Sequence, residues 1–117
     1  MMIVMKELFQ TIDAMDAHGF AAAFTREGLF RFGNAPTVVG REAIENAVDG
    51  FLSQLTSLRH HIFDVWDQEE VVISEVGVTY TRVDGKVISL PAATIGRRNN
   101  GLFSDYRIYM DVNPLFE

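Results

Sequence analysis

Apolar residues return every three or four positions in the first half of the chain and every second position in the last half, so a helical part precedes a stranded part. Val4, Leu8, Ile12 and Met15 form one stripe, which predicts a first helix from about residue 3 to 15. Asp16 can cap a new start, and Phe20 and Phe24 share a face of a short second helix ending near Thr25. "LFRF" (29 to 32) alternates and reads as a short strand. The loop "GNAPTVVG" follows, its Gly33, Asn34, Pro36 and Gly40 breaking regular structure. In a third helix Ile44, Val48, Phe51, Leu52 and Leu55 keep a helical period, with Arg41, Glu42, Glu45, Asn46 and Asp49 on the solvent side.

From Leu58 the residues are β-branched and aromatic, interrupted by Asp67-Gln68-Glu69, Asp84-Gly85 and Asn99-Asn100-Gly101. Asp-Gly and Asn-Gly accept positive φ cheaply, as tight hairpins require. Four strands (about 58 to 67, 71 to 83, 86 to 97 and 102 to 112) are therefore expected as an antiparallel meander, and helices before sheet argue for an α+β domain with a curved sheet. Both faces of the second of these strands are apolar: Val72, Val76 and Val78 on one, Val71 and Ile73 on the other. Helices cover only one face, so a homodimer through the sheet is expected.

The 117 residues fit one domain, 1–117. With 48% hydrophobic and 22% charged residues the chain matches neither disordered nor fibrous classes. Its apolar runs fall short of the roughly 20 residues of a membrane span, and "MMIVMKELFQ" lacks the pattern of a secretory signal, so no membrane partner and a cytoplasmic location are expected. Cysteine is absent, which removes thiolate nucleophiles and Cys-ligated zinc and leaves chemistry to oxygen and imidazole. The net charge of −6 and scattered basic residues speak against nucleic acid. Adjacent strand residues such as His60 and His61 cannot converge on one ion, so no metal and no cofactor are expected.

"GREAI" (40 to 44), "LRHHIFDVW" (58 to 66), "VTYTRVDGKVISLP" (78 to 91) and "DYRIYMD" (105 to 111), in this order, closely resemble the SnoaL-like group of the nuclear transport factor 2-like superfamily. The resemblance implies a cone-shaped α+β barrel: a bent sheet and three N-terminal helices around one pocket for a small molecule, the 33 to 40 loop near its mouth, and pairing of two subunits through their sheets. Members include polyketide cyclases, steroid isomerases and limonene epoxide hydrolase, beside binding and scaffold domains that catalyse nothing. The carboxylates of the steroid isomerases would fall on Leu29–Phe32 and Ala92–Ile95, where this chain has none. Of the epoxide hydrolase set Asp111 matches, but Glu75-Val76-Gly77 stands where Arg-x-Asp is required, and Arg82-Val83-Asp84 falls too late, at a hairpin turn. The cyclases pair a late-strand Asp with a histidine, and Asp111 with His60 or His61 reproduces that pair.

The resulting candidates are Asp111 and His61 for proton transfer, and Tyr109, His60, Trp66, Phe32 and Tyr80 for ligand binding. The expected function is a cofactor-independent cyclase or isomerase acting on a small apolar carbonyl compound. The alternative is a non-catalytic ligand-binding or interaction domain. In a regular strand His61 shares its face with Phe63 and Val65, and His60 with Ile62, Asp64 and Trp66; a bulge would swap the faces. Against the acid-base reading, Arg107 shares the face of Asp111 in a regular strand and would hold its carboxylate charged. Asp111 also suits a cap for the "VNPLFE" tail, and Arg31 with Glu75 reads as a structural ion pair.

Overall fold

The computed structural model describes residues 4–117. The helices are α1 (Met5–Asp13), α2 (Ala17–Ala22), α3 (Arg41–Leu52) and a one-turn α4 (Asn113–Phe116). The strands are β1 (Phe24–Phe32), β2 (Val38–Val39), β3 (Leu55–Asp67), β4 (Val71–Arg82), β5 (Val87–Asn99) and β6 (Leu102–Tyr109). The order is the expected one, helices before sheet, in an α+β domain. The expected helix start at residue 3 lies outside the described residues.

The buried stripe of α1 is Met5, Leu8, Phe9 and Ile12. Val4 is the extended residue before the helix and is 48% exposed, which shifts the stripe from the expected one. Asp16 caps α2, its Oδ1 accepting the Gly19 N–H at 2.8 Å. Gly40 enters α3 at φ 96°, a conformation that favours glycine, and the Arg41 guanidinium donates to the Phe24 carbonyl. Leu55, expected to continue this helix, instead opens β3 after a turn in which the Ser53 hydroxyl donates to the Gly50 carbonyl at 2.6 Å.

The strands form one sheet in the order β2-β1-β6-β5-β4-β3. β3 to β6 are the expected antiparallel meander, with Gly85 (φ 91°), Asn100 (φ 54°) and Gly101 (φ 85°) in its hairpins. β1 is longer than "LFRF" and runs parallel to β6, so the sheet is six-stranded and mixed. Arg31 on β1 and Glu75 on β4 are thereby separated by β6 and β5; the Arg31 side chain donates to the Ala35 carbonyl and not to Glu75. Bulges at Phe63 in β3 and at Ser104 in β6, the latter opposite Arg97 and Arg98, accentuate the bend.

Inside the bend Phe20, Phe24, Phe30, Phe103 and Tyr106 pack with ring centroids 5.1 to 6.3 Å apart. Gly96 makes this possible. A Cβ built there would lie 2.4 Å from Cε1 of the fully buried Phe103 and 3.2 Å from Cδ2 of Tyr106. Neither ring has room to retreat, so Gly96→Ala is expected to cost about 1–3 kcal/mol and to lower the melting temperature by about 4–8 °C for each of those. Thermal unfolding followed by circular dichroism checks this; an unchanged melting temperature would contradict the packing.

Candidate functional site

The helices bridge the concave side of the sheet without filling it, leaving a cavity of about 240 Å³. Its wall is mostly apolar, with many aromatic rings: Phe9 and Phe20 from the helical side, Phe30, Phe32, Tyr80 and Tyr106 from the sheet, and Phe51 from α3. Ala35, Pro36 and Val38 of the 33 to 40 loop also line it, where the resemblance led one to expect the mouth.

Few polar groups reach this wall, and each is held. Phe9 and Asp13 are one helical turn apart on α1 and so act on the same neighbour. Phe9 stacks on the His60 ring (4.5 Å, 14°), and Asp13 grips the same residue twice. Its Oδ1 lies 2.6 Å from His60 Nδ1, and its Oδ2 accepts the His60 backbone N–H at 2.8 Å. β3 is the sheet edge, so this backbone group has no strand to bond on that side and Asp13 takes the strand's place. A carboxylate only accepts, so Nδ1 carries the proton and the neutral ring keeps its lone pair on Nε2. No described residue hydrogen-bonds Nε2, and the ring lines the cavity.

Tyr80 is the diagonal neighbour of His60, since Leu58 pairs with Tyr80 and His60 with Val78. Its hydroxyl makes only a long contact to the Met110 sulfur, 3.7 Å. Burial, and next the Asp13 charge, raise the Tyr80 phenol well above its ordinary value, so it is a donor at neutral pH. Burial likewise raises Tyr106, although a hydrogen bond from Thr94 opposes it, and Thr94 bonds in turn to the buried Ser74. The site therefore combines one imidazole lone pair with phenolic donors in an apolar room.

A family model for the SnoaL-like domain matches residues 5–106. The chain belongs to that family. Among solved structures this SnoaL-like domain is similar to a nuclear transport factor 2-like protein of unknown function from Burkholderia pseudomallei, at TM-score 0.85 and 14% identity over 96% of this chain and 91% of that one. It is also similar to a candidate SnoaL-like polyketide cyclase from Jannaschia (TM-score 0.78, 13% identity, 96% and 88% covered). A protein from Catenulispora acidiphila in complex with S-DNPA is 24% identical, at TM-score 0.69 over 97% and 92% of the two chains. At these identities the likeness is one of fold. No curated protein matches the sequence significantly.

The residues singled out in the sequence are divided by the SnoaL-like fold. His60, Phe32 and Tyr80 line the cavity. Asp111 and His61 do not. β6 turns Tyr106 inward and Arg107 and Tyr109 outward, and it ends before Asp111. Asp111 is exposed, with its Oδ1 accepting the Asn113 N–H at 3.0 Å at the start of the C-terminal turn. His61 stands on the convex face opposite Gly77, its ring edge-on to Phe63. Tyr109 is 51% exposed on that face. Trp66 is displaced by the bulge at Phe63, which puts Trp66 opposite the outward Ile73 and breaks its alternation with His60.

Asp13 escaped the sequence reading. Its signal was a carboxylate four positions after Phe9, on the flank of an apolar stripe, and only β3 supplies the partner that gives it meaning.

Burial lowers the His60 imidazole below its ordinary 6.5, and Asp13 offsets part of that. The unfolded chain then binds this proton more readily than the folded one, so stability rises with pH across the interval between the folded and ordinary values. The contribution of neutral His60 is complete above about pH 6.5 and lost as pH falls through the folded value. Between about pH 7.5 and 5.5 the urea midpoint is expected to fall more for the wild type than for His60→Gln. Equal decreases would show that His60 is not held neutral.

Proposed function

We propose that this SnoaL-like domain is a cofactor-independent acid-base enzyme acting on a carbonyl compound, with His60 as the base. The observation that carries the reading is the Asp13–His60 pair at the wall of an apolar cavity, with Nδ1 taken by Asp13 and Nε2 left without a hydrogen-bond partner among the described residues. Nε2 takes a proton from the carbon next to the carbonyl; the C–H electron pair moves into the enolate, whose oxygen accepts the Tyr80 O–H. The imidazolium that forms lies against the Asp13 carboxylate. Return of the proton to another carbon gives an isomerase; attack of the enolate on a second carbonyl breaks its C=O π bond, and the alkoxide formed takes the proton back from His60, which gives a cyclase. The Asp-His chemistry first sought in Asp111 and His61 is thus assigned to Asp13 and His60. Asp13 acts as a positioning residue.

A non-catalytic binding domain is the second reading, favoured by the bond from Asp13 to the His60 backbone, which would also serve to close the sheet edge. Exchange of the α-hydrogens of a neutral cyclic ketone such as tetralone in D2O, followed by NMR, separates the two. Wild-type protein is expected to accelerate exchange, and His60→Gln to reduce the acceleration by about 10²–10⁴-fold. Asp13→Asn should lower the rate and alter its pH profile while leaving tetralone binding within a few-fold. No acceleration by the wild type for a ketone that binds would leave the passive domain.

We further propose a homodimer through the convex face, where Phe63, Trp66, Ile73 and Tyr109 are 60%, 46%, 37% and 51% exposed. Trp66, Ile73 and Ile95 form one row across β3, β4 and β5, which gives a partner a continuous apolar strip. Sedimentation equilibrium should give a dimer at micromolar concentration, and Trp66→Glu should raise its dissociation constant at least tenfold. A monomeric wild type would remove the proposal.

A further inference from the structure

We infer that the cavity selects neutral carbonyl compounds of one or two rings, and that Phe51 is the wall that sets this limit. The carbonyl rests on the acid-base reading above; the size and charge rest on the cavity alone. A cavity of about 150 Å³ lined by aliphatic and aromatic side chains holds benzene. The same allowance per atom gives about ten non-hydrogen atoms for the volume of about 240 Å³ here. Two fused rings fill that space, and three or four exceed it.

Charge narrows the class further. No arginine or lysine lines the cavity among the described residues, and the imidazole there is held toward its neutral form. A carboxylate or phosphate would lose its hydration with no cation to meet it.

Phe51 closes one end. It lies in the last turn of α3, its ring edge-on to Phe32 at 5.1 Å and to Tyr80 at 5.9 Å. The same residue also lines a second, half-open pocket of about 400 Å³, with Leu55, Arg82 and Leu115. That pocket is flanked by the C-terminal turn, where the Arg82 guanidinium donates to the carbonyls of Leu115 (3.0 Å) and Glu117 (2.8 Å). One side chain thus divides the two spaces, and shortening it joins them.

Calorimetric titration with tetralone, the three-ring ketone anthrone and a carboxylated tetralone tests this on wild-type protein, Phe51→Ala and Phe51→Leu, each checked for folding by circular dichroism. The wild type is expected to bind tetralone at least tenfold more tightly than either other compound. Phe51→Ala should raise the affinity ratio of anthrone to tetralone at least tenfold, and Phe51→Leu at least threefold. If Phe51→Ala does not fold, Phe51→Leu decides. Wild-type binding of anthrone or of the carboxylate as tightly as tetralone would overturn the class, and an unchanged ratio in the folded variants would overturn the role of Phe51. A wild type that shows this selectivity but does not accelerate proton exchange would count against the base and not against the size limit.

Discussion

The double hydrogen bond from Asp13 to His60 joins the two halves of the molecule. One oxygen receives the backbone N–H of the edge strand and the other holds the imidazole, so the last turn of α1 is docked on the sheet at the point where the cavity needs a polar group. Without that anchor the edge of β3 would present an unpaired donor, and the ring would have no reason to prefer one tautomer. Phe9, one turn earlier, adds the stacking surface that fixes the ring plane.

The space that His60 faces stays open because its walls are stiff. Aromatic rings have few rotamers, and those of Phe32, Phe51 and Tyr80 meet edge to face, an arrangement in which each ring holds the next away from the void. Flexible side chains in their place would bend inward. The apolar lining also governs the chemistry, since it disfavours a charged imidazole and keeps the phenols protonated. A lone pair and a phenolic O–H donor can then coexist near neutral pH without neutralising each other.

The convex side obeys a different constraint. β4 and β5 carry apolar residues on both faces, while the helices cover the concave face alone. The bulge at Phe63 adds to this, because it returns Trp66 to the outer face and opposes it to Ile73. The polar candidates at the C-terminal end of β6 belong to this outer world. Asp111 organises the final turn, and Leu115 of that turn is buried.

By itself the sequence determined what depends on local period and turn chemistry: helices before strands, the meander, the hairpins at Gly85 and Gly101, the start of α3 at Arg41, and the SnoaL-like family with its pocket. Of the seven candidate residues, His60, Phe32 and Tyr80 line the cavity, but alternation alone left open which of His60 and His61 faces inward. Two things lay beyond local pattern. The bulge at Phe63 and the end of β6 at Tyr109 changed which side chains face inward, and alternation cannot announce its own interruption. The pairing of Asp13 with His60 spans 47 residues, and a carboxylate on a helix flank looks like any solvated charge until the folded chain brings a strand edge to within hydrogen-bonding distance. Only the tertiary structure decided it, because the partner of a charge is fixed by packing and not by sequence spacing.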